Sequence, residues 1–195
     1  MRCQKWLSDM YKKLQLFVPR FVLLSLFLVP HISYATRAER ITSCLLGARA
    51  PVEVYRASRI ADTHIYGYSF KKGDLRLIYT SEEDSRGLGV ECQCVGGAER
   101  VLILSGEFSS NYIQGVVLRY NKRHGQLERL DFSERERPQY LYVSDDGISV
   151  VLPNSPDRGV ARYIVYALKS SNGREAKREV TDVLSVEGKR YRLRQ

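Results

Sequence analysis

The chain is poor in the residues that nucleophilic and metal chemistry need. It holds three histidines and four cysteines in 195 residues. No Gly-x-Ser-x-Gly turn occurs, which removes the strand-turn-helix elbow that exposes a hydrolase serine. No Cys-x2-Cys or His-x3-His pair occurs, so the usual zinc-ligand spacings are missing. Asp145-Asp146-Gly147 lacks the alternating carboxylates of a calcium loop. No cofactor motif is present. Long apolar runs are also missing. The longest, Phe21 to Val29, lies between Arg20 and Pro30 and is about half of the ~20 residues that a membrane-spanning helix requires.

That short run has a setting of its own. Arg2, Lys5, Lys12, Lys13 and Arg20 precede it, and Ser33-Tyr34-Ala35 supplies small residues after it. Basic, apolar and small in that order is the pattern of a signal peptide. The sequence therefore predicts a signal peptide over 1–35, cleaved after Ala35, and a periplasmic or secreted product without a stable membrane anchor. An uncleaved anchor is the rival, and the length of the run speaks against it. Ile41-Thr42-Ser43-Cys44 matches a loose lipidation box. Three charges between Thr36 and Arg40 separate it from the apolar run, so the match reads as accidental.

Removing 1–35 changes the charge. The full chain carries 31 basic and 22 acidic residues, a net +9. The leader takes five basic and one acidic residue, leaving +5. Residues 161–195 hold nine basic and four acidic residues, so the excess sits at the C-terminal end. A nucleic-acid binder needs a stronger and more concentrated field. No nucleic-acid partner is expected.

Cys44, Cys92 and Cys94 remain after cleavage. In an oxidising compartment two of them pair. Cys92 and Cys94 are two apart and share a strand face, where a bond between them would be strained. Cys44 joined to one of the two is the expected disulfide. The competing reading is a thiolate metal site, with His64 or His124 as a fourth ligand.

From Val52 onward, period-2 alternation and turn residues dominate. Hairpins are expected for Ile65–Phe70 with Leu75–Tyr79, for Ile113–Tyr120 with Leu127–Phe132, and for Tyr140–Val143 with Ile148–Leu152. In the last, Asp146-Gly147 offers the positive φ of a tight turn. Val183–Val186 with Lys189–Leu193 reads as a closing hairpin. Arg100–Ser105 reads as a buried strand. Short helices are expected at Thr36–Leu46 and Arg174–Val180.

The predicted fold class is all-β: a single antiparallel sandwich or barrel-like domain over 36–195, built of consecutive hairpins. Ile65-x-Gly67 followed by Gly73-x-Leu75-x-x-Ile78 and Ser81-Glu82 resembles Ile113-x-Gly115 followed by Gly125-x-Leu127-x-x-Leu130 and Ser133-Glu134. An internal repeat over about 63–110 and 111–160 would suit a small propeller-like array of two or three sheet units, kept as the alternative.

Function is less constrained. His124 falls in a basic turn, and His64 has only Asp62 nearby in sequence. Arg190, Arg192 and Arg194 share one strand face, with Tyr191 and Leu193 on the other. With Tyr140 and Tyr142 they form a candidate interaction face, since Tyr and Arg concentrate at binding hot spots. A row of edge cations that deters aggregation is the plainer explanation. The expected function is an exported, non-catalytic protein that binds another envelope or secreted protein, as an inhibitor or immunity-type protector. The alternatives are an envelope-polymer hydrolase and a thiolate metal-binding protein.

Overall fold

A computed structural model of the chain describes residues 38–47, 51–70, 74–97, 99–155, 160–169, 176–182 and 184–194. The expected signal peptide lies outside them. The described residues form two antiparallel sheets and, among them, no helix.

The first sheet contains β1 (Glu39–Cys44), β2 (Val52–Ile60), β3 (Thr63–Ser69), β4 (Leu75–Leu77), β5 (Arg86–Val95), β6 (Val101–Phe108), β7 (Ile113–Asn121) and β8 (Gln126–Glu134). Its order is β1-β2-β3-β5-β6-β7-β8, with β4 paired to β3. The second contains β9 (Tyr140–Ser144), β10 (Gly147–Pro153), β11 (Tyr163–Lys169), β12 (Ala176–Thr181) and β13 (Lys189–Arg192), in the order β12-β11-β10-β9-β13. Most neighbours are consecutive in the chain, as a series of hairpins requires.

The first sheet curls without closing into a barrel. In a flat sheet β1 and β5 would lie three steps of ~4.8 Å apart, about 14 Å. Cys44 on β1 and Cys94 on β5 have Cα atoms only 5.6 Å apart. The curl gathers one core inside the first sheet. Val54 of β2, Tyr68 of β3, Leu104 of β6 and Leu118 of β7 belong to it. The second core lies between the sheets. There Ile103, Val117 and Leu130 meet Leu141, Val150 and Leu168.

β6 and β7 serve both cores. Leu102 and Leu104 face the first and Val101 and Ile103 the second. A strand buried on both faces needs an unbroken apolar run rather than alternation, and Val101-Leu-Ile-Leu104 supplies it. The two sheets thus stack face to face as a sandwich, not as radial blades. The first of the similar stretches spans β3 to β6, all in the first sheet. The second spans β7 to β10 and crosses from one sheet to the other.

Four expectations are corrected. Residues 39–44 form strand β1, paired from Glu39 to Cys44 with β2, where a short helix was expected. Ala176–Thr181 is strand β12, not a helical turn, because the open edge of β11 offers it a full register from Leu168 to Tyr163. Lys189–Arg192 does not return on residues 183–186; it pairs with β9. Finally, Ser144 pairs with Gly147 around Asp145 and Asp146, and none of these residues has positive φ. The glycine serves packing instead: a Cβ on Gly147 would stand 2.0 Å from the Leu168 carbonyl oxygen. At the β7–β8 turn, by contrast, Gly125 does adopt φ +64°.

A buried polar tie joins two turns. Arg119 of β7 stands opposite Glu128 of β8, with Nε 3.7 Å from Oε2. Its guanidinium also donates to the carbonyls of Ser144 (2.5 Å), Gly147 (2.6 Å) and Asp145 (3.0 Å). Glu128 Oε1 accepts from Asn121 Nδ2 at 2.6 Å, and Asn121 Oδ1 accepts from the backbone of Arg123 and His124. One side chain from a central strand therefore fixes the β9–β10 turn, while its partner's network fixes the β7–β8 turn.

Candidate functional site

The edge strand β13 positions the basic residues. Arg190 pairs with Tyr142 and Arg192 with Tyr140, so all four share the outer face of the second sheet. Leu193 is buried in the inter-sheet core and Tyr191 packs against that core, which leaves the arginines outside. Arg190 lies over the Tyr140 ring, 5.4 Å from its centroid. Such a contact is worth about 0.5–1 kcal/mol at an exposed site. Arg194 follows the strand. Its backbone N–H donates to Gln93 Oε1 (2.9 Å), and its carbonyl accepts from Gln93 Nε2 (2.8 Å), which clamps the end of β13 to β5.

The same face carries a small apolar cluster. Tyr142, Val151 and Val165 are buried there, with Tyr140 and Tyr163 half-buried beside them. Leu184 and Val186 pack on the cluster, so the segment expected to be a strand is a strap across this face. Tyr142 is only 7% exposed. The surface offered outward is therefore Arg190, Arg192, the upper parts of Tyr140 and Tyr163, and the strap.

The cysteines divide as expected. Cys44 and Cys94 form a disulfide across a separation of 50 residues. A disulfide persists where thiols are not kept reduced, which points to an oxidising location. Cys92 is free and packs against the first core. Burial pushes its thiol up to about 12. Two of the three sulfurs are thus bonded to each other.

The histidines stand apart. Burial, and then the positive charges of Arg56 and Arg59, hold His64 below the usual imidazole value. Asp62, its neighbour in sequence, pairs with Arg59 at 3.4 Å. His124 lies exposed in the β7–β8 turn. Among the described residues no group of three His, Cys, Asp or Glu side chains converges.

A second concavity has no counterpart in the sequence reading. A cleft of about 450 Å³ opens along the edge of β8. The turn at 79–84 forms one wall, the start of β7 another, and Tyr166 of β11 a third. Asp84 and Asp131 both line it. Asp131 accepts from Arg129 through both oxygens, at 2.6 and 2.8 Å. Asp84 accepts from the Ser81 hydroxyl at 2.7 Å. Tyr166 donates to Glu134 Oε1 (3.0 Å), which Arg178 also reaches at 2.8 Å. Burial, and then the Glu134 hydrogen bond, raise the Tyr166 phenol above its ordinary value.

Sequence reasoning missed this cleft and the Arg119 tie. The tie left one signal, a lone arginine inside the apolar run Val116 to Tyr120. The cleft left none, because its side chains come from four separate stretches. No family model, curated protein or solved structure matches the chain.

Proposed function

We propose that the protein is an exported, non-catalytic binding module that engages another envelope or secreted protein, in the manner of an inhibitor or protector. One observation carries this reading: β13 sets Arg190 and Arg192 beside the partly exposed Tyr140 on one sheet face, with Arg190 over its ring and buried Tyr142 supporting it from beneath the strap. Aromatic residues and arginines on a scaffold that does not need to reorganise are the usual anchors of protein interfaces. Sheet pairing on β9 and the Gln93 clamp hold the arginines in place. The leader at 1–35 and the Cys44–Cys94 disulfide support export to an oxidising compartment, the periplasm or outside the cell.

The test is affinity purification from the native compartment with the wild-type chain and with an Arg190→Glu/Arg192→Glu variant. The expected result is one stoichiometric protein partner that the variant loses, with its thermal midpoint kept within a few degrees, because both side chains are exposed. A partner retained by the variant, or no stoichiometric partner at all, overturns the reading.

A second reading, an envelope-polymer hydrolase, draws on the cleft that Asp84 and Asp131 line. Release of soluble fragments from purified envelope polymer, abolished by Asp84→Asn or Asp131→Asn, is its test.

A further inference from the structure

We infer that the cleft along β8 is a saccharide-binding site, selective for neutral or amino sugars over acidic ones. The inference is independent of the sheet-face reading, because it uses other residues on another surface.

The first reason is the chemistry of the lining. Hydroxyls from Thr80, Ser109 and Ser133, the Gln114 amide and the carboxylates of Asp84 and Asp131 share one open cleft. Sugar hydroxyls both donate and accept. Carboxylate and amide groups meet that pattern with two hydrogen-bonding atoms on one side chain. The volume of about 450 Å³ falls within the range of small-ligand sites and suits a short oligosaccharide segment.

The second reason is that the polar groups are already held. Asp131 is fixed by Arg129, Asp84 by Ser81, and the Gln114 side chain by a 3.0 Å hydrogen bond to the Ser110 hydroxyl. Side chains locked before binding lose little freedom on binding.

The third reason is charge. Among the described residues the lining contains two carboxylates and no basic side chain. Arg129, 30% exposed beside it, neutralises Asp131 through both oxygens and lies over the Tyr79 ring, so the charge that an incoming group meets is that of Asp84. Phosphates, nucleotides and uronic acids would meet like charge. An ammonium-bearing sugar would meet a complementary one, and a neutral sugar would meet hydrogen-bonding groups without a charge penalty.

Titration of nitrogen-labelled protein tests this, with three probes: a glucosamine tetramer, an N-acetylglucosamine tetramer and a galacturonic acid tetramer. The expected result is fast-exchange shifts of the Thr80, Asp84, Gln114, Asp131 and Ser133 amides with the first two, and none with the third. Gln114→Ala and Asp131→Ala should each weaken binding about tenfold, the cost of one strong hydrogen bond. Both positions lie at the surface, so their thermal midpoints should stay near wild type; any variant that unfolds is replaced by Ser133→Ala. Absence of shifts at about 10 mM of either tetramer, a concentration that detects even millimolar affinity, overturns the inference. So do equal binding of the galacturonic acid tetramer, shifts confined to another surface, and unweakened binding by the folded variants. Loss of the protein partner in the Arg190→Glu/Arg192→Glu variant has no bearing on these shifts, so the two readings fail separately.

Discussion

Replacing Arg119 with methionine should be among the most damaging single changes in the chain, and the reason lies with the groups left behind. The arginine and Glu128 side chains are 7% and 6% exposed. Methionine fills much of the volume but offers no donor. The Ser144, Asp145 and Gly147 carbonyls lose their charged partner, and the Glu128 carboxylate is left buried without a counter-charge. Its Oε2 has no hydrogen bond even in the intact protein. Breaking a buried pair from one side costs about 3–5 kcal/mol, out of the roughly 5–15 kcal/mol that holds a domain together. With a urea slope of about 2 kcal/mol per molar, the unfolding midpoint should fall by about 2 M. Adding Glu128→Leu removes the stranded charge. The double variant should recover about half of the loss, because the carbonyls stay unmet while the carboxylate is gone. Urea melts of the wild type, Arg119→Met, Glu128→Leu and the double variant read all of this. A loss below about 1 kcal/mol, or a double variant as unstable as the single one, would refute the reasoning.

Two further outcomes follow from the cysteines. Cys44→Ala/Cys94→Ala, or reduction, opens a loop of 50 residues and should cost about 4 kcal/mol in the chain-entropy model, read as a drop of about 10 °C in the thermal midpoint. Cys92 should alkylate about a thousandfold more slowly in the folded protein than in urea at pH 8, since its thiol is held up to about 12 by burial. Because the folded form favours the neutral thiol, its contribution to stability is complete below the ordinary thiol value near 8.5. That contribution declines as the pH rises from there toward 12, which an alkaline denaturation series on Cys92→Ala and wild type would resolve.

Legibility followed distance along the chain. The β7–β8 and β9–β10 hairpins could be read from a few adjacent residues, because strand alternation and the polar residues between strands are local signals, although the positive φ expected at Asp146-Gly147 is not adopted. The β6 strand could be read from its apolar run. Residues 176–181 could not. Ala-Lys-Arg-Glu suits a helix, and only the open edge of β11, a tertiary fact, makes it a strand. That Cys44 bonds to Cys94 and not Cys92 depends on the curl of the first sheet, which no local pattern encodes. The grouping of Arg190 and Arg192 was readable from alternation. Their placement beside Tyr142 and Tyr140 depends on β13 pairing with β9, some fifty residues earlier. The cleft is the extreme case, since Tyr79, Gln114, Asp131 and Tyr166 have nothing in common until the sheets are stacked.

The double service of β6 and β7 has a consequence for how the protein comes apart. Two cores built on separate strands could melt one after the other. Here Leu102 and Ile103 are adjacent residues of one strand, facing opposite interiors. Opening either interior exposes the back of the wall that supports the other. The two layers should therefore lose structure together, and the amide protons of Val101–Leu104 and Val116–Leu118 should exchange only through global opening. Peripheral elements such as β4, β12 and the 184–187 strap can fray without touching that wall. The molecule thus combines a single cooperative interior with a margin that can open on its own.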